Sequence, residues 1–318
     1  MKLQQIVKTP YLASRIAYGC MGIGGSWDHN SLNINEQRNA TIAIETAFET
    51  GINIFDHADI YCFGKSEHAF AQFIIDKPHL RDKIILQSKC GIRIATDNHI
   101  GHYDFSYDHI INSVEQSLKR LQTSYLDILL LHRPDVLVEG EEVAKAFSEL
   151  HQSGKVRFFG VSNHTVMQIM YLQKYIQQPL VINQVQLNVI DNDLFNSGIV
   201  GGGGNSLDSV GLVEYCRIND ITIQAWGPLA SGKIFVEQPQ NHRVAAVQKV
   251  LHKLAEKYCT NTMAIALAWI LLHPAQIQPV IGSSNPSRIR NACEAINVDL
   301  TRSEWYELFV AGRGANLP

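Results

Sequence analysis

Short runs of β-branched and aliphatic residues alternate with longer stretches whose apolar positions return at helical spacing, and the alternation persists from about residue 15 to residue 295. The short runs read as buried strands and the longer stretches as helices with one apolar face. The pattern predicts strands over 15–21, 53–56, 84–89, 126–132, 156–161, 181–186, 222–226 and 279–281. It predicts helices over 36–50, 66–75, 107–122, 141–153, 166–177, 207–219, 244–258, 263–272 and 286–295, with a last amphipathic stretch appended over 303–311. Gly51 and Gly154 stand where a helix end favours left-handed backbone. Eight strand–helix pairs in one series is the count for an α/β chain closed into a (β/α)8 (TIM) barrel. No linker or break in composition divides the series, so a single barrel domain over 1–318 is expected, with long connections at about 22–35, 191–206 and 229–243. All three follow strands and so belong to the face where such barrels carry their chemistry.

Composition narrows the classes of function. Hydrophobic residues make up 46% and charged residues 18%, which allows a large core and argues against disorder. The net charge of −3, without runs of like charge, offers no surface for a polyanion, so no nucleic-acid partner is expected. The longest apolar run, about 263–272, is too short for a bilayer, and 1–10 lacks the apolar segment of a secretory signal. No membrane partner and a cytoplasmic location are the expectations. The six cysteines (Cys20, Cys62, Cys90, Cys216, Cys259, Cys293) form no close pair, which fits reduced thiols rather than a disulfide framework or structural zinc. The tract Gly201–Gly204 does not run straight from strand to helix, so it reads as a flexible loop and not as a phosphate cradle.

Three of the apolar runs each deliver an ionisable residue at or just past their C-terminal end. Asp56 and Tyr61 follow the second run, Lys89 ends the third and His132 ends the fourth. Each has a duller explanation, such as a loop cap, a packed ring, a solvated ammonium or a satisfied core histidine. In a parallel barrel, however, all four meet on one rim. A phenol has a pKa of about 10 and is a poor acid at neutral pH. A nearby Lys89 ammonium, held by Asp56, is expected to lower that value, while His132 hydrogen-bonds the carbonyl oxygen that Tyr61 protonates. This set suits addition of a nucleophile to a carbonyl carbon as the oxygen takes a proton. Hydride is such a nucleophile; no protein side chain supplies it, so a nicotinamide cofactor is expected.

The blocks Gly51-Ile52-Asn53-Ile54-Phe55-Asp56 with Tyr61, Leu129-Leu130-Leu131-His132-Arg133-Pro134-Asp135, Gly160-Val161-Ser162-Asn163 and Ile281-Gly282-Ser283-Ser284 together resemble the aldo-keto reductase family. The likeness runs from about Ile16 to Ala295, in the family's order. It implies a barrel that binds NADP(H), or alternatively NAD(H), across its C-terminal face without a Rossmann fold. Asp56, Tyr61, Lys89 and His132 match the catalytic tetrad, with Tyr61 as proton donor. Ser162, Asn163 and Gln184 match the residues that hold the nicotinamide carboxamide, and Trp226 the ring that stacks on the nicotinamide. Gly227, Leu229, Ser231 and Lys233 match the pyrophosphate loop. Ser283, Ser284 and Arg288 match the segment at the adenosine 2′-phosphate, and Gly19, Cys20 and Met21 end the first strand beside the nicotinamide. Trp27 and Phe63 are the expected walls of a pocket for a small carbonyl substrate.

Two positions depart from the family's pattern. His57 stands where threonine is usual, which is expected to alter hydrogen bonding beside Asp56. Gly282 stands where many members carry a lysine, so preference for NADP(H) rests on Arg288 and the serine hydroxyls. A cofactor-binding regulatory subunit with the same fold and little turnover is the alternative function, although no basic docking stripe is evident. A metal-dependent hydrolase using His57, Asp59 and His132 is disfavoured by weak ligand spacing, so no metal is expected. Oligomeric state and physiological substrate leave no mark in the sequence.

Overall fold

A computed structural model describes residues 1–197, 199 and 209–318 of the chain. The Gly201–Gly204 tract, the end of the 191–206 connection and the start of the helix expected over 207–219 lie outside the described residues. The strands are β1 (Leu3–Gln5), β2 (Leu12–Ser14), β3 (Ala17–Gly19), β4 (Ile54–Asp56), β5 (Ile85–Cys90), β6 (Ile92–Arg93), β7 (His102–Tyr103), β8 (Leu126–Leu131), β9 (Val156–Ser162), β10 (Leu180–Gln186), β11 (Thr222–Trp226) and β12 (Gln278–Ile281). The helices are α1 (Ile34–Glu49), α2 (Lys65–Asp76), α3 (Tyr107–Leu121), α4 (Gly140–Gln152), α5 (Val166–Tyr175), α6 (Asp193–Asn196), α7 (Leu212–Ile218), α8 (His242–Lys257), α9 (Thr262–Leu271), α10 (Pro286–Cys293) and α11 (Arg302–Arg313).

Strands β3, β4, β5, β8, β9, β10, β11 and β12 close, in that order, into a parallel barrel. The (β/α)8 expectation holds. Alternation along the strands sorts their residues between two cores. Ala17, Ile54, Ile85, Ile128, Leu130, Ile182 and Val280 pack inside the barrel. Their neighbours Tyr18, Phe55, Leu86, Leu129 and Leu131 pack outward in the main core with the helices. With a side-chain period of two, the inner face continues from Ile54 to Asp56, from Ile85 through Gln87 to Lys89, and from Leu130 to His132. The apolar floor and the ionisable rim are thus successive layers of the same strands.

Several segments differ from the sequence-based expectation. The strand expected over 15–21 spans only Ala17–Gly19, because Cys20–Gly24 coils into a 3₁₀ turn. Gly24 lies so close to the chain after β4 that a Cβ would fall 2.4 Å from Ser66 Oγ. Two antiparallel hairpins were not foreseen. β1 and β2 pair beneath the barrel, where buried Ile6 and Ala13 join its interior cluster. β6 and β7 form a ladder within a fourth long connection, 91–106, after β5. The expected connection after β10 contains the short helix α6.

The appended helix α11 fastens the rim from the outside. Trp269 and Trp305 donate indole N–H groups to each other's backbone oxygens, at 3.1 and 2.9 Å. Arg243 bridges the Gly312 and Ile190 carbonyls, each at 2.6 Å. At Gly312 a Cβ would sit 1.6 Å from Val189 O, so this approach requires glycine. The chain leaving β10 is held to the C-terminal helix in this way.

Candidate active site

Lys89 is the centre of the rim. Its ammonium, 1% exposed, donates to Asp56 Oδ2 at 2.8 Å, to the His57 carbonyl at 2.8 Å and to Tyr61 Oη at 3.0 Å. The Tyr61 and His132 rings meet edge-on with centroids 6.0 Å apart. The structure therefore brings Asp56, Tyr61, Lys89 and His132 together. Tyr61 is aimed by unusual backbone, since the next two residues, Cys62 and Phe63, are left-handed at φ 48° and 57°. Buried Cys62 occupies the space beside the Met21 and Gly25 carbonyls, with its Sγ 3.4 Å from each. Non-glycine residues in this region cost about 1–3 kcal/mol each, so the surrounding packing must impose them.

The electrostatics correct one expectation. Burial raises the Tyr61 phenol above its ordinary value, and Lys89 only partly opposes that rise. The cation lowers the phenol as expected, but desolvation outweighs it. Burial also works against the Lys89 ammonium, yet Asp56 and Tyr61 together leave its pKa raised. His132 is driven well below the usual histidine range by burial, then by Lys89 and Arg133, so its ring is neutral at physiological pH. The site thus holds a protonated phenol, a charged ammonium and a neutral imidazole.

His57 does not alter hydrogen bonding as its identity suggests. Both ring nitrogens are buried without a partner, the ring packs edge-on against Phe70, and only the backbone carbonyl engages Lys89. Burial and Lys89 push its pKa down to about 3. Behind the rim, Glu67 takes hydrogen bonds from Ser88 and Arg120 at 2.7 and 2.8 Å. Burial, and then Glu67, raises Asp59 to about 7. An acid raised in the folded state favours folding below its unfolded value, near 4, and loses that contribution as pH climbs through the folded value. Stability should therefore decline between about pH 4 and 7 by up to roughly 1.4 kcal/mol per pH unit from this group. Asp59→Asn is expected to flatten that slope in urea unfolding at pH 5, 6 and 7. An unchanged slope would contradict the assignment.

The residues expected around a nicotinamide form one connected set. Ser162 Oγ donates to the Gln184 carbonyl at 2.8 Å. Asn163, left-handed at φ 61°, donates to the His132 carbonyl at 3.2 Å and to Ser162 Oγ at 2.9 Å. Its Oδ1 accepts the Trp226 indole N–H at 2.8 Å, fixing that ring at the barrel mouth. The Gln184 amide turns inward, donating to Asp56 Oδ1 at 3.1 Å. Gly19 and Cys20 are buried, while Met21 is half exposed.

From Trp226 an open path leads outward. Gly227 and Gly232 have nothing within 4 Å of a built Cβ. Ser231 and Lys233 are exposed, and Leu229 is half-buried. The neighbouring loop after β12 carries Ser283, whose carbonyl accepts the Tyr18 hydroxyl at 3.1 Å, followed by exposed Ser284 and Arg288. A fixed indole, a glycine-lined backbone, hydroxyls and two outlying cations fit a dinucleotide phosphate in charge and hydrogen-bonding groups. Among the described residues, no three His, Cys, Asp or Glu side chains gather as a metal-ligand set.

The Trp27 and Phe63 rings meet edge-on with centroids 5.9 Å apart. The sequence reading missed His29, whose ring lies 4.2 Å from Phe63. It also missed the Asp28–Lys65 pair at 2.8 Å, which ties this loop to α2. Gln87, Gln224 and Gln278 were missed too. Their only signal was a polar residue in an otherwise apolar strand.

Comparison with known proteins agrees with this fold. The model of the "Aldo/keto reductase family" matches residues 15–309. An oxidoreductase of Bacillus subtilis (strain 168), YcsN, is 38% identical over 303 residues, covering 93% of this chain and 95% of its own. A 6-dehydroglucose reductase of Agrobacterium fabrum is 33% identical over 305 residues, covering 95% of each. The solved structure of a glycerol dehydrogenase from Gluconobacter oxydans superposes with a TM-score of 0.83 at 25% identity, covering 99% of this chain and 97% of that one.

Proposed function

The chain belongs to the aldo/keto reductase family and is an NAD(P)H-dependent oxidoreductase of small carbonyl compounds, and from that premise we propose that it reduces an aldehyde or ketone to the alcohol using NADPH, with Tyr61 as proton donor. The observation that carries this reading is the Lys89 ammonium bridging Asp56 Oδ2 and Tyr61 Oη at 2.8 and 3.0 Å. A carbonyl oxygen lodged between Tyr61 Oη and the neutral His132 ring receives a hydrogen bond from each. The bound nicotinamide supplies the hydride. Tyr61 gives its proton to the oxygen as negative charge develops there, and the resulting phenolate is stabilised by the adjoining Lys89 ammonium. Asp56 keeps that ammonium charged and in place. Ser162, Asn163 and Gln184 would hold the carboxamide, and Trp226 would offer its ring face.

Gly19, Cys20 and Met21 would flank the nicotinamide, Gly227, Leu229, Ser231 and Lys233 would follow the pyrophosphate, and Ser283, Ser284 and Arg288 would receive the 2′-phosphate. Preference for NADPH rests on the Arg288 guanidinium. Arg288→Ala is expected to weaken NADPH about tenfold or more and to leave NADH unaffected, read by quenching of tryptophan fluorescence. Equal weakening of both nucleotides would refute that role. The rings of Trp27, Phe63 and His29, with the Asp28–Lys65 pair beside them, give the entrance both apolar and polar surface. A sugar-derived aldehyde, the kind of substrate implied by the name of the Agrobacterium relative, therefore belongs in the first set of probes.

A further inference from the structure

Four glutamines stand inside the barrel: Gln87 on β5, Gln184 on β10, Gln224 on β11 and Gln278 on β12, none more than 2% exposed. Branched aliphatic side chains dominate barrel interiors, and a buried amide is tolerable only when hydrogen-bonded. Strand register brings these four together. Gln184 pairs with Gln224 across β10 and β11, and Gln224 with Gln278 across β11 and β12. Gln87 pairs with Asp56 and reaches across the interior to Gln224.

The donors and acceptors admit one order. The Ser14 carbonyl can only accept, and Gln278 Nε2 donates to it at 2.5 Å. Gln278 therefore turns Oε1 toward Gln224, whose Nε2 donates at 2.8 Å. Gln224 offers Oε1 to the Nε2 groups of both Gln87 and Gln184, each at 2.9 Å. These two amides in turn donate to Asp56 Oδ1, at 2.5 and 3.1 Å. Flipping any one amide would set oxygen against oxygen or N–H against N–H. Asp56 Oδ2 is left for Lys89. The arrangement leaves Gln87 Oε1 buried without a partner. An unmet acceptor of that kind costs roughly 1–3 kcal/mol, which a layer serving stability alone would avoid.

We propose that Gln278, Gln224 and Gln87 are positioning residues for the reaction, aligning the Asp56 carboxylate so that it faces Lys89 and Lys89 faces Tyr61. The proposal rests on Tyr61 being the proton donor. Gln184, which the family resemblance assigns to the nucleotide, is the one link shared with the binding site. If the chain is broken at Gln224, the Gln87 and Gln184 amides lose the acceptor that orients them, and Asp56 loses its two N–H donors. Without those donors nothing holds the carboxylate in the orientation that faces Lys89.

The test compares Gln224→Met, similar in volume but unable to hydrogen-bond in the chain, with Gln224→Glu. A neutral glutamic acid presents C=O to Gln87 and Gln184 and O–H to Gln278, so it restores the order. Gln224→Met is expected to lower kcat on the order of 10- to 100-fold and to leave carbonyl KM unchanged. Gln224→Glu should regain most of that rate at the acid end of the range. Gln278→Met should show the same signature more weakly and decides the matter if Gln224→Met does not fold. Wild-type kcat in the methionine variants would overturn the proposal, as would a glutamate variant no better than methionine at any pH. Tyr61→Phe is measured alongside. If it turns over normally, the underlying reading of the site falls; if it is inactive while the methionine variants behave as wild type, only the amide chain falls.

Discussion

Tyr61→Phe is expected to lower kcat for carbonyl reduction by about 10³-fold or more, with nucleotide affinity unchanged. The substitution keeps the ring that packs edge-on against His132 and removes only the hydroxyl that Lys89 contacts at 3.0 Å. Burial holds the phenol above the ordinary tyrosine range, so in the wild-type protein the Tyr61 hydroxyl is protonated across all physiological pH. Reduction by the wild type should accordingly lose rate only in strongly alkaline solution, and the phenylalanine variant should lack that limb. Steady-state rates with a simple aldehyde, together with fluorescence titration of NADPH, separate the two effects. Substantial turnover in Tyr61→Phe would remove Tyr61 from the mechanism.

Lys89→Met should damage stability and activity together. Asp56 is 3% exposed, and its Oδ2 has Lys89 as ion-pair partner. Removing one member of a buried pair leaves an uncompensated charge, typically at a cost of about 3–5 kcal/mol. The urea midpoint should fall accordingly. Adding Asp56→Asn to Lys89→Met should restore most of the stability, because the stranded charge is gone, but none of the activity, because the phenolate still lacks its cation. A single variant as stable as wild type would mean that Asp56 and Lys89 are not the buried pair described. A double variant that recovers turnover would separate that pair from catalysis.

Much of the fold was legible because alternation along a barrel strand is a local signal. The strands expected over 84–89 and 126–132 were visible from their largely apolar residues, and their last inner-facing positions led directly to Lys89 and His132. Helix α3 begins after Ser106, whose side chain caps it, and α9 after Asn261, which does the same. Signals that depend on distant segments were not legible. Strands of two residues, such as Ile92–Arg93, show too little alternation to be read, so the fourth rim connection escaped notice. The amide chain depends on Gln184, Gln224 and Gln278 sharing one register level, which no single segment reveals. The sign of the Tyr61 shift depends on how desolvation compares with one cation, and residue types alone do not supply that balance.

The most direct measurement of the central claim uses NADPH carrying deuterium at both C4 positions of the nicotinamide, mixed with the protein and an aldehyde probe in ordinary water. The product is analysed by mass spectrometry and NMR against the amount of nucleotide oxidised. A carbonyl reductase built around Tyr61 predicts one alcohol per nucleotide oxidised, deuterium on the carbinol carbon and a solvent-exchangeable proton on the oxygen. Nucleotide binding without alcohol, or alcohol whose carbinol carbon carries no deuterium, would contradict it.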